Sequence, residues 1–112
     1  MPEPARAVGP ARHEVPLVDE AALVAARAAD RVLAAARALG FERWERYVEP
    51  LPDRLRDGDL RDLRSAAMRS RAAYGPKDSI RDSLPADVTE PFLVAIDRLL
   101  RVLARRDTRG DS

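Results

Sequence analysis

The sequence contains no cysteine and only one histidine, His13, in 112 residues. The first absence removes disulfides, thiolate nucleophiles and every zinc site built on sulfur. The second leaves no imidazole pair for a metal ion or a proton relay, and His13 itself reads as a solvated residue with no fixed partner nearby. Glycines stand singly, at positions 9, 40, 58, 75 and 110, so neither a G-x-x-x-x-G-K-[ST] phosphate loop nor a G-x-G-x-x-G dinucleotide turn can form. Ser65, Ser70, Ser79, Ser83 and Ser112 lie in no G-x-S-x-G elbow and no S-x-x-K pair. No Glu-x-x-His occurs. Asp59 and Asp62 come closest to the carboxylate-bundle spacing, but they suit helix capping and dipole compensation better. Neither catalysis, nor a resident cofactor, nor a metal centre is expected.

Long apolar runs are also missing. The richest window, Ala21 to Ala38, is interrupted by Arg27, Asp30, Arg31 and Arg37, well short of the roughly 18 uncharged residues that a membrane span requires. The opening MPEPARAVGPARHEVP carries four prolines and no apolar core of the kind a secretory signal needs. A soluble, cytoplasmic protein without membrane association is the expectation. The 20 basic and 19 acidic side chains leave a formal charge of +1. Arginines outnumber lysine 19 to one, a bias that, with the heavy alanine usage, reads as compositional background and not as a nucleic-acid signature.

What is plentiful is alanine and helical periodicity. Of 51 hydrophobic residues 20 are alanines, leaving 31 larger apolar side chains. Strict apolar–polar alternation is nearly absent, which argues against strands. The expected fold is all-α, a small helical bundle with three main helices at 19–39, 59–74 and 89–106 and two short ones at 42–49 and 78–84. These would form a single domain, 17–106, between a disordered proline-rich N-terminal tail, 1–16, and a disordered C-terminal tail, 107–112.

Asp19 is expected to cap the first helix and Gly40 to stop it. Val24, Ala28, Val32, Ala35 and Leu39 form its main stripe, and Leu23, Ala26, Ala29 and Leu33 widen the apolar sector enough for contact on two sides. Phe41, Trp44 and Val48 mark the second helix. Pro50 and Pro52 predict that 50–58, PLPDRLRDG, is a connector with at most one turn. Asp59 should cap a third helix with the seam Leu60, Leu63, Ala67, Ser70 and Tyr74. Thr89 should cap the last, with Pro91 in its first turn and Phe92, Ile96, Leu99 and Leu103 as its core stripe.

Three groups of residues are candidates for function. Phe41, Trp44 and Tyr47 place three aromatics within seven residues, and with Tyr74 they are candidate interaction residues, since Trp and Tyr commonly dominate interface energy. Arg61, Arg64, Arg69 and Arg71, with Lys77, give a net charge of +4 over residues 60–77, a face that could contact phosphates. The stretch YGPKDSIRDS, residues 74–83, joins Lys77 and Arg81 to a Gly-Pro break and a short helix start, an arrangement able to hold an anion. The favoured reading is a non-enzymatic protein–protein interaction or regulatory module, a homodimer or a small subunit of a larger complex. An alanine-padded core leaves burial to be gained by association. The alternatives are a nucleic-acid-associated protein using the arginine face, and an anion or small-ligand binder at the 74–83 turn.

Overall fold

The computed structural model describes residues 12–110, without the side chains of His13 and of 107–110. Among the described residues every regular element is helical. Five α-helices follow one another: α1 (Pro16–Leu39), α2 (Glu42–Val48), α3 (Leu51–Asp57), α4 (Leu60–Ala72) and α5 (Ala86–Gly110). Single 3-10 turns at Arg12–Glu14 and Ile80–Asp82 complete the chain. α1 packs against α2, α3 and α5, while α4 packs against α3 and α5.

The three main helices lie where periodicity placed them, but the count of short ones differs, and proline is the reason. α1 begins at Pro16, not Asp19, with proline in its first turn, where its missing N–H would have no intrahelical partner anyway. Of the expected tail, residues 12–14 form a 3-10 turn and 1–11 lie outside the described residues. Pro50 and Pro52 start a helix instead of preventing one: Pro50 occupies the N-cap and Pro52 the first turn of α3, so the expected connector is seven residues of helix. The expected helix at 78–84 reduces to the 3-10 turn Ile80–Asp82, because Asp78 adopts a left-handed φ of 54° that breaks any longer helix. α5 starts directly after Pro85, so Thr89 lies inside the helix and not at its cap, and Pro91 is internal. The helix continues past the expected end at 106 to Gly110, and 111–112 lie outside the described residues.

The stop signals act as expected. Gly40 takes φ 74°, and the bonds from Gly40 N–H to Arg37 O (3.2 Å) and from Phe41 N–H to Ala36 O (3.0 Å) close α1 in a Schellman motif. Asp59 caps α4 reciprocally with Asp62: the Asp62 N–H donates to Asp59 at 2.9 Å and the Asp59 N–H to Asp62 at 3.4 Å.

The core has three seams. In α5, Phe92, Ile96, Leu99 and Leu103 are buried, as their spacing predicted, and so are Leu63, Ala67, Ser70 and Tyr74 of the α4 seam. In α1 the buried line is rotated from the expected stripe. It runs Val18, Ala22, Ala25, Ala29, Val32, Ala36, all fully buried, while Val24 and Ala35 are half-buried and Leu39 is exposed. A line of alanines lets neighbouring backbones approach closely, and larger side chains of the facing helices, Leu51 and Leu55 of α3 and Phe92, Ile96 and Leu99 of α5, are fully buried.

Candidate functional site

The aromatic residues separate by element. The Schellman turn carries Phe41 out of the core: it is 38% exposed, and the neighbouring Leu39 is 53% exposed. Trp44 lies one turn into α2 and is buried, its ring edge-on to Tyr47 at 5.6 Å, with the Arg43 guanidinium 4.8 Å from the ring centroid. Tyr47 is half-buried and committed to α4. Its hydroxyl donates to the Arg69 carbonyl at 2.7 Å, the Arg69 guanidinium sits 4.0 Å over its ring, and an Arg69 Nη donates back to the Tyr47 carbonyl at 3.3 Å.

Tyr74 makes the corresponding contact in the core. Its hydroxyl donates to the Thr89 carbonyl in α5 at 2.6 Å, and its ring lies 6.4 Å from Phe92. Burial drives the phenol pKa well above its ordinary value, and the nearby Glu90 carboxylate adds to the effect. Arg81 covers the outer side of the ring, 5.5 Å from its centroid, and binds both oxygens of Glu90 at 2.8 and 3.0 Å. That hydrogen-bonded pair raises the Arg81 pKa and lowers that of Glu90. Beside it the Thr89 hydroxyl is sealed from solvent and adds to the lowering of the Glu90 pKa.

Tertiary contacts divide the arginine face. Arg69 turns to α2, Arg71 pairs with Asp97 of α5 at 3.2 Å, and Arg81 belongs to Glu90. Arg61 and Arg64 stay on the outer side of α4 near Met68, which is 60% exposed. Lys77 is exposed in the loop after α4, and among the described residues neither it nor Arg61 forms an ion pair. In the 74–83 turn, the Ser79 hydroxyl accepts from the Arg81 N–H at 3.1 Å, so Lys77 is the one cation there without a partner among the described residues. No group of three or more metal-ligating side chains occurs among the described residues, and no described helix is long and apolar enough to cross a membrane.

Sequence reasoning missed Arg12. It lies in the 3-10 turn before α1, and its side chain is only 10% exposed. Nε donates to Asp19 at 2.6 Å, one Nη donates to the Gly58 carbonyl at 2.9 Å, and the other Nη is sealed with no acceptor among the described residues. No local pattern announces a contact between residues 46 positions apart.

Comparison with family models, with curated proteins and with solved structures returned no match.

Proposed function

We propose that the protein acts without catalysis, by presenting a helical surface to another macromolecule, and that the first such partner is a second copy of the chain. The observation that carries this reading is the apolar corner at Leu39 and Phe41, both exposed on either side of the Gly40 turn. Both signs of charge rim that corner. Glu42, Arg43 and Arg46 are exposed on α2, and Arg37 pairs with Glu45 at 3.2 Å and with Glu49 at 3.6 Å. A rim that carries both signs of charge allows acids of one copy to meet bases of another, as an isologous interface uses one patch twice. The nucleic-acid alternative draws first on Arg61 and Lys77, because Arg69, Arg71 and Arg81 already hold internal partners.

Light scattering after size exclusion tests the association. At micromolar concentration the wild-type chain is expected near twice its 12.4 kDa mass, and the Leu39→Glu/Phe41→Glu variant at the single-chain mass with unchanged helical circular dichroism. A wild-type monomer throughout, or a dimer indifferent to both charges, overturns this reading. A salt-sensitive shift of labelled DNA or RNA that is lost in Arg61→Ala/Arg64→Ala would favour the alternative.

A further inference from the structure

α3 is a seven-residue helix between Pro50 and Gly58, and in isolation helices of fewer than about 12 residues are marginal in water. Its order therefore depends on what holds it in place. Leu51, Pro52 and Leu55 are buried, and α3 lies on α1, whose seam is mostly alanine. Beyond that apolar contact, two arginines tie it down. Arg56 reaches from α3 to Asp30 of α1, and also pairs with Asp53 at 3.4 Å. Arg12, from the segment before α1, bridges Asp19 to the carbonyl of Gly58 at the end of α3.

The two ties differ in kind. Arg56 is 37% exposed and belongs to a surface network, which dissolved salt screens. Arg12 is 10% exposed and keeps one sealed Nη with no partner among the described residues, so its closed position carries a desolvation cost that an open one would relieve. At Gly58 an added Cβ would come within 2.4 Å of the Arg54 carbonyl oxygen and 2.6 Å of the Asp62 Cβ. The chain can therefore turn from α3 into α4 here only with glycine. Proline at one end and glycine at the other delimit the unit, and because α3 also packs on α4, its opening parts the α3–α4 contact as well as the one with α1.

We propose that α3 is a hinged cover over the alanine seam of α1, and that the Arg12 and Arg56 clasps set how often it opens. Opening exposes Leu51, Leu55 and the part of α1 beneath them while the α1–α5 packing stays intact, a local transition below global unfolding. This does not depend on the association at Leu39 and Phe41, which light scattering reads separately.

Hydrogen exchange of the full chain, resolved to the amides of residues 54–58, tests it. Arg12→Ala is expected to speed exchange there about tenfold or more and Arg56→Ala about two- to fivefold, while the cores of α1 and α5 keep wild-type protection, since a mostly buried charge-assisted hydrogen bond suffices for the first factor and an exposed ion pair contributes less. Arg12→Lys keeps the charge beside Asp19 but loses the fork that reaches Gly58, and should fall between. In the wild-type chain, raising salt from about 0.05 to 1 M should speed exchange at 54–58 selectively, as the Debye length shrinks several-fold. Exchange at 54–58 that follows α1 and α5 in every variant, or that ignores both arginines and salt, overturns the proposal. The salt series decides the matter even where a variant does not fold.

Discussion

Two tyrosine–arginine pairs close this bundle, one at its surface and one in its core. Tyr47 from α2 and Tyr74 from the turn after α4 each donate a hydroxyl proton to a main-chain carbonyl of a packed helix, at 2.7 and 2.6 Å, and each ring lies under an arginine, at 4.0 and 5.5 Å. The arginines then diverge. Arg69 returns its N–H groups to the carbonyl of Tyr47, making a reciprocal clasp between α2 and α4, whereas Arg81 turns to Glu90 and leaves the tyrosine to the core. Tyr47 is half-buried and Tyr74 only 8% exposed. The same parts thus yield a peripheral tie and a structural anchor. The difference is the water each has lost, since a hydrogen bond is most consequential where its groups cannot fall back on solvent.

That contrast can be broken or sharpened in order of size. Tyr74→Ala, which empties a buried ring site against Phe92, is expected to cost about 3–5 kcal/mol in denaturant unfolding, against about 1–2 kcal/mol for Tyr47→Ala. Equal losses would erase the distinction between anchor and tie. Removing the hydroxyls alone narrows the gap: Tyr74→Phe should cost about 1–2 kcal/mol and Tyr47→Phe about 0.5–1 kcal/mol.

Alkaline pH separates the pair without any change of shape. The unfolded tyrosine ionises near pH 10, while folded Tyr74 holds its proton to higher pH because it is buried. Its contribution is therefore complete below about pH 10 and is lost as pH rises from there toward the folded value. Unfolding midpoints of the wild-type chain should fall between about pH 10 and 11 more steeply than those of Tyr74→Phe, and parallel curves would contradict the burial argument.

The smallest effect belongs to the exposed Arg81–Glu90 pair. The lowered Glu90 pKa means that its contribution is present above the ordinary glutamate pKa and is lost as pH falls through the folded value. Glu90→Gln should remove that acid-side slope and little else, and high salt should remove it from the wild-type chain too.

Much of the fold was legible in the sequence. The stripe Phe92, Ile96, Leu99, Leu103, the seam from Leu63 to Tyr74, the Asp59 cap and the Gly40 stop all express preferences that act within about one helical turn. Proline was harder to read, because its effect depends on position: it breaks a helix interior but suits a first turn. Pro16 and Pro52 are of the second kind, and nothing within a few residues distinguishes them. The α1 stripe was misplaced because alanine carries little orientational signal, so the side on which α3 and α5 pack decides which alanines are buried.

The candidate site was legible as residue types and not as an arrangement. The cationic stretch from Arg61 to Lys77 is plain in the sequence, yet Arg69, Arg71 and Arg81 are taken by Tyr47, Asp97 and Glu90. Phe41 fits a core position by spacing, yet the turn at Gly40 carries it outward.

Composition and periodicity by themselves determined that this chain is helical, where its long helices lie and which faces of α4 and α5 are apolar, because backbone hydrogen bonding and capping are short-range. Only the tertiary structure decided which arginine meets which partner. Those contacts join residues 22, 26 and 46 positions apart, and a long flexible cation settles on whichever carboxylate, carbonyl or ring the packed helices bring within reach.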